Sequence, residues 1–404
     1  MSGDRQRVLD IYAAALRRVN GHVAVQQALA ANQGGACAVI AVGKAADAML
    51  QGAAAALGDH LVRGLLITKH DHADRARWRN GRVEVLESSH PVPDETCLVA
   101  GRRLLAFLAE LPPELPVLAL ISGGASALVE VPRPGVTLDD LRRANAWLLA
   151  SGLPIGEMNK VRKALSAIKG GGLLGYLGGR AVRGLLISDV PGDQPAVIGS
   201  GLLVPTPEGP LPALPDWLEA LIAGAAVPDR GAPVTPDLRL VATLADALEA
   251  AAVAAEGQGL VVHRHPQFLE GDAAQRGREL AGHLVSGPPG LHLWGGETTV
   301  ELPAEPGRGG RNQHLALAAA QALAGRDDIV LLAAGTDGSD GPTADAGGLV
   351  DGGTWQRALG EGLDPELALG RADAGTVLAA TGDLVHTGPT GTNVMDLVIA
   401  LKTG

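Results

Sequence analysis

Short, mainly apolar runs of four or five residues recur along the first half of the chain, each stopped by a small or polar residue and followed by helical periodicity. They lie at 38–42 before Gly43, at 65–68, at 117–121 before Ser122, and at 184–187 before Ser188. Such runs suit strands buried on both faces, so the alternation predicts a parallel sheet covered by helices. Residues 5–29 carry charges throughout and predict one amphipathic N-terminal helix. From 205 to 236 proline is dense and charge sparse, with a helical stretch at 217–223, which predicts a connection between domains. A second series follows, with a strand at 238–241, a helix at 245–256, strands at 260–263 and 291–294, a hairpin-like segment at 298–302, and strands at 329–334 and 398–401. The pattern predicts an α/β protein of two domains, residues 1–235 and a smaller 236–404, with ligands expected in a cleft between them.

The length of 404 residues agrees with two domains. A net charge of −11 and only 2% aromatic residues leave neither a basic footprint nor stacking platforms, which argues against nucleic acid as a partner. Glycine, at 56 residues, is about twice its usual ~7% share. Among 33 basic residues six are lysines: Lys44, Lys69, Lys160, Lys163, Lys169 and Lys402. Against such an arginine bias each lysine stands out, because its compact ammonium suits a moving phosphoryl group. Cys37 and Cys97 are too few for a disulfide framework or a zinc site and are expected to be inert core thiols of a reducing compartment. With no signal-like or membrane-length apolar run, the expected location is the cytoplasm, away from membranes.

The chemistry concentrates in glycine turns after predicted strands. Gly43-Lys44 joins a strand to a helix, offering free N–H groups and a cation to an anion, without the spacing of a Walker A loop. Ser122-Gly123-Gly124-Ala125-Ser126 offers N–H groups and two hydroxyls to phosphate or carboxylate oxygens, and does not fit a nucleophile elbow. Lys160, Lys163 and Lys169 predict a helix closed by 170–172, with Lys160 and Lys163 on one face. Asp189 and Asp193 flank a Pro-Gly turn and could hold Mg²⁺ together with phosphate oxygens. In the second half, Glu297, Arg311-Asn312, Asp337 and Asn393 occupy comparable turns. His90 is expected near the site in a rigid turn, whereas the pairs His70/His72 and His263/His265 lack a third metal ligand and read as structural.

The ordered segments AVGKAADAM, ISGGASALVEVP, NKVRKALSAIKGGGL, LLISDVPGD, GGETTVELP, GRGGRNQ, GTDGSDGPTADAGG and TGPTGTNVMDL resemble the glycerate 2-kinases, whose C-terminal part is the MOFRL domain. The resemblance runs from about residue 38 to 400. It implies a Rossmann-like domain with a smaller α/β domain, and ATP-dependent phosphorylation of D-glycerate at its 2-hydroxyl with Mg²⁺. Carried over by position are Lys44 and Arg311, expected to neutralise phosphoryl or carboxylate charge; the general logic of phosphoryl transfer adds that Asp189 or Asp193 is expected to hold the metal and Asp193 or Asp337 to accept the hydroxyl proton. Gly43, Ser122, Gly123, Gly124, Ser126, Lys160, Glu297, Asn312, Asp337 and Asn393 are the expected binding positions. The chain departs from the family pattern at Ala125, Ala164, 200–203, His314 and Met395. Small-molecule partners are therefore expected, namely D-glycerate and ATP, and a homodimer stays open. An NAD(P)H-dependent hydroxypyruvate reductase is the rival reading, although the first strand is not followed by G-x-G-x-x-G. A non-catalytic nucleotide or anion sensor is the third.

Overall fold

The four apolar runs of the first half become β1 (Cys37–Val42), β2 (Leu61–Lys69), β4 (Val117–Ile121) and β5 (Val182–Ile187) of a single sheet, which also holds β3 (Val83–Ser88), a strand the pattern did not mark, and β6 (Asp237–Ala242). In this computed structural model, which describes residues 2–30, 35–79, 81–90, 92–206, 209–228 and 234–404, the chain divides into two units. One is Asn20–Ala242; the other joins Met1–Val19 to Thr243–Gly404.

All six strands of the first unit are parallel, in the order β3-β2-β1-β4-β5-β6. This is the doubly wound order, and the chain reverses its direction of travel across the sheet between β1 and β4. Every residue of β1 and β4 is buried, as their unbroken apolar runs require. The core packs Ile40, Val42, Ile67, Leu104, Phe107, Ala119, Ile121 and Leu186 between sheet and helices. Cys37 and Cys97 are buried free thiols, and burial pushes the Cys97 thiol up to about 11, so neither is a nucleophile at neutral pH.

Several expected boundaries shift. The strand read at 238–241 as the start of a second domain is β6, the sixth strand of the first sheet, paired with β5. The proline-rich segment holds the helix Asp216–Gly224, whose Leu218, Trp217, Leu221 and Ile222 pack with Leu148, Val161 and Leu165 in a side cluster of this same unit. Local periodicity found the elements, but sheet membership depends on strand pairing, which no local pattern encodes. The predicted N-terminal helix is also two helices, Ser2–Val19 and Gly21–Ala30, in different units. Asn20 makes the break by accepting the His22 N–H on its side chain at 3.0 Å.

The second sheet contains β7 (Val262–Arg264), β8 (Gly290–Gly296), β9 (Ile329–Gly335), β10 (Gly347–Asp351), β11 (Leu384–Val385) and β12 (Asp396–Lys402). Its order is β11-β10-β9-β12-β8-β7, and only β7–β8 is parallel. The strand-helix alternation of the sequence thus yields a mostly antiparallel sheet here. The segment at 298–302 forms no hairpin; Thr299 makes an isolated parallel bridge to Asp272. The helix Ser2–Val19 is anchored on this sheet. Tyr12 donates its buried hydroxyl to Gly335 O at 2.7 Å, and Arg5 bridges Asp351 and Asp383 at 2.6 and 2.7 Å. Among the described residues no helix is long and apolar enough to cross a membrane.

Candidate active site

In the parallel sheet, Val42 sits beside Ile121 and Ile121 beside Leu186, so the turns after β1, β4 and β5 emerge next to one another at the carboxyl ends of the strands. The β1/β4 pair is the topological switch point, where open α/β sheets bind ligands. Gly43 adopts φ +133°, and a Cβ there would lie 2.2 Å from Ser122 Oγ and 2.6 Å from Ser122 O. Only glycine lets the two turns meet this closely. They are then stitched together: Lys44 N–H donates to Gly123 O at 2.8 Å and Ala45 N–H to Ser122 Oγ at 3.1 Å. The buried Ser122 hydroxyl, read from the sequence as a ligand donor, is therefore occupied in holding the loops.

Gly124 has φ +81°, and a Cβ there would meet Lys44 Cγ and His90 Cδ2, each at 3.1 Å. The Lys44 stem, Gly124 and the His90 ring thus converge, as expected for His90. Ser126 Oγ lies 2.8 Å from Ser200 Oγ. A cavity of about 250 Å³ borders this turn, lined in part by His90, Gly124, Ser126, Glu130, Arg162 and Lys169.

The helix carrying Lys160 and Lys163 ends at Leu165, so Lys169 lies beyond it, contrary to the longer helix expected. Lys169 is buried and its Nζ sits 2.5 Å from Glu130 Oε2; Glu130 Oε1 also accepts from Ser166 Oγ. Removing either charge would leave the other stranded, typically a cost of about 3–5 kcal/mol. Lys163 Nζ donates to Ala196 O and Thr206 Oγ1, both at 3.0 Å, and Lys160 pairs with Glu157 at 2.7 Å. Both nonetheless line, with Arg133 and Lys169, a cavity of about 300 Å³ that has no carboxylate among its described lining residues. After β5, Asp193 N–H donates to Val190 O at 3.2 Å across the Pro191-Gly192 turn, and Asp193 itself has φ +53°. The tight turn between the two carboxylates is thus formed as read.

The second cluster belongs to the other unit. Asp396 opens β12 and is flanked in register by Gly296 of β8 and Gly335 of β9, which lead into Glu297 and Thr336-Asp337. Arg311, first residue of the helix Arg311–Ala322, donates from Nε and Nη2 to Asp396 at 2.5 and 3.1 Å, while its Nη1 lies 2.7 Å from Glu297. Burial opposes its charge, but Asp396 and Glu297 outweigh that and hold the guanidinium firmly protonated. The fork is fixed on two sides, with about a third of the side chain exposed. Asp340 lies under the same helix and accepts from the backbone N–H of Asn312 and Gln313 at 3.1 and 2.8 Å. Asn312 also donates its side-chain amide to Asp340, so this buried residue supports the helix start. Asp337 Oδ1 accepts from Ser339 N–H at 2.9 Å, and Asn393 is buried nearby in sequence to Val394, whose N–H donates to Thr336 Oγ1. Burial pushes the Tyr12 phenol far up, helped by Asp337, Asp396 and Asp340.

Burial, with Asp396 adding to it and the helix N–H groups opposing, pushes the Asp340 carboxyl up to about 7. Its unfolded value is 3.8, so between about pH 4 and 7 the folded chain holds a proton that the unfolded chain has released. This group's contribution to stability is therefore fully present below that window and falls as pH rises through it. Wild type is expected to lose thermal stability from pH 5 to pH 8 more steeply than Asp340→Asn, measured as Tm by calorimetry; parallel Tm–pH curves would refute the assignment.

Two family models match the chain, "Domain of unknown function (DUF4147)" over residues 7–215 and "MOFRL family" over residues 290–396. The D-glycerate 2-kinase of Thermotoga maritima is 37% identical over 90% of each chain. The chain belongs to the MOFRL-containing glycerate kinase family. Within this family, the crystal structure of glycerate kinase from Thermotoga maritima superposes with a TM-score of 0.86 at 32% identity, covering all of both chains. A relative from Agrobacterium vitis that bears the name of a hydroxypyruvate reductase is 42% identical over 97% of this chain and 93% of its own. Sequence reasoning gave no role to Asp396, inside the segment TGPTGTNVMDL, and reads Asp340 only as the second carboxylate of the turn GTDGSDG. Their one visible signal was an acidic residue bordering a glycine-rich turn.

Proposed function

We propose that the protein transfers the γ-phosphoryl group of ATP to the 2-hydroxyl of D-glycerate, giving 2-phospho-D-glycerate and ADP. The observation that carries this reading is the pair of interlocked turns at the switch point, with a lysine and no dinucleotide fingerprint. A nicotinamide dinucleotide calls for G-x-G-x-x-G after β1, whereas Gly43 is followed by Lys-Ala-Ala-Asp-Ala. This favours kinase chemistry over the reductase name carried by the Agrobacterium relative.

In the reaction the glycerate O2 attacks the γ-phosphorus, the bond to the ADP oxygen breaks, and the hydroxyl proton passes to a carboxylate. Positioning and charge neutralisation supply most of such catalysis. Lys44 offers a point charge that can follow the phosphoryl group; Arg311 offers a planar fork for carboxylate or phosphate oxygens. Asp193 or Asp337 accepts the proton. The carboxylates of Asp189 and Asp193 suit a hard cation, and these residues would hold Mg²⁺. When bound, that ion neutralises charge on the phosphate oxygens.

The test is ADP release with D-glycerate, L-glycerate, tartronate and hydroxypyruvate, with added enolase to detect 2-phosphoglycerate directly. D-glycerate is expected to be the preferred acceptor and enolase to consume the product without a mutase. NADH oxidation by hydroxypyruvate, or no ADP release, would overturn the reading.

A further inference from the structure

Four histidines gather at one edge of the mixed sheet, away from the Arg311 turns. His263 lies on β7, paired in register with His292 of β8; His265 follows β7, and His283 lies in the last turn of the helix Ala273–Ser286. Ligand nitrogens of His265, His283 and His292 all lie within 4.8 Å of one another, the one such set of three among the described residues. From the sequence the His263/His265 pair lacked a third ligand; the fold supplies two more histidines.

The geometry is that of a ligand set. His265 Nε2 and His292 Nδ1 are 3.1 Å apart. Two imidazoles bound tetrahedrally to Zn²⁺ at ~2.0–2.1 Å would have nitrogens about 3.3 Å apart. His292 Nε2 lies 3.1 Å from Pro288 O, an acceptor only, so the proton sits on Nε2 and Nδ1 presents its lone pair to His265. Metal-binding histidines are oriented through just such an outer hydrogen bond. His265 is held flat against Trp294, with centroids 4.2 Å apart and planes 5° from parallel. His292 is buried and His283 exposed, so the set is rigid on the protein side and open to water on the other.

We propose that His265, His283 and His292 form a three-imidazole site for Zn²⁺, completed by water. Imidazole favours late first-row metals over Mg²⁺ or Ca²⁺, which take oxygen ligands, so this site is chemically separate from any nucleotide-bound Mg²⁺. The metal would clip β7, an edge strand of three residues, to β8 and to the helix end. The carbonyl end of that helix favours a cation but already holds Lys402 Nζ, which donates to Leu284, Val285 and Gly287 O. That neighbouring charge opposes a bound cation and lowers the affinity of the site.

The experiment titrates the untagged full chain, stripped with EDTA, with ZnCl₂ by calorimetry, and counts bound zinc after gel filtration. One Zn²⁺ per chain is expected, unaffected by millimolar Mg²⁺. Affinity should fall at least tenfold in His265→Ala and in the exposed His283→Ala, whose fold is checked by circular dichroism, but not in His70→Ala/His72→Ala. Cu²⁺ should quench part of the tryptophan emission, an effect lost in Trp294→Phe. No stoichiometric zinc in wild type, unchanged affinity in both His265→Ala and His283→Ala, or loss of binding in the His70/His72 variant would each overturn the proposal.

Discussion

Replacing Arg311 by alanine is expected to lower kcat/KM for D-glycerate phosphorylation about 10³-fold, equivalent to about 4 kcal/mol of transition-state stabilisation. The size follows from preorganisation. Asp396 grips Nε and Nη2 while Glu297 meets Nη1, so the fork is aimed before any ligand arrives and no reorganisation is needed during the reaction. Arg311→Lys is expected to recover less than tenfold, because a single ammonium cannot span both oxygens of Asp396 and face a substrate as well. The truncation also strands the buried Asp396 carboxylate, so Tm should be followed in the same variants. Asp396→Asn provides the complementary measurement, since it loosens Arg311 while keeping its charge, and a larger effect on kcat than on stability is expected. If Arg311→Ala retains kcat/KM within threefold of wild type, the role given to Arg311 is wrong.

Lys44→Ala is expected to lower kcat by about 10²–10³-fold. Here the backbone does the positioning: Lys44 N–H is tied to Gly123 O, and the side-chain stem packs over Gly124 beside His90. These backbone contacts survive loss of the side chain, so the Tm should change little while turnover collapses. Lys44→Arg is expected to rescue poorly, because a planar guanidinium does not replace a compact ammonium that can follow the moving phosphoryl group. Steady-state kinetics with saturating ATP and varied D-glycerate, then the reverse, tell whether kcat or a KM carries the loss. Near-wild-type turnover in Lys44→Ala would remove it from the reaction.

The parallel sheet was legible because buried strands leave unbroken apolar runs, and the turns after β1, β4 and β5 because glycine and serine interrupt those runs. Lys44 and Arg311 could be picked out by residue type and by the family's ordered motifs. Asp396 could not be placed by spacing alone. It lies 85 residues from Arg311, and the two meet only because β12 inserts between β8 and β9. The N-terminal helix shows the same limit: its amphipathic stripe predicts burial, but nothing local says that Tyr12 and Arg5 bury against strands more than 300 residues away. Lys169 reads as one more helical cation and proves to be half of a buried ion pair with Glu130.

By itself, then, the sequence determined most of the strands, though not β3, β10 or β11, together with the glycine turns that follow them, the family and the cation at each principal turn, all of which depend on residue type and short-range periodicity. The tertiary structure alone decided that β6 closes the first sheet, that the second sheet is mostly antiparallel, that Asp396 and Glu297 hold Arg311, and that His283 and His292 join His265. These outcomes depend on which distant strands pair and in what register, and pairing is set by the packing of whole faces that short-range patterns do not specify.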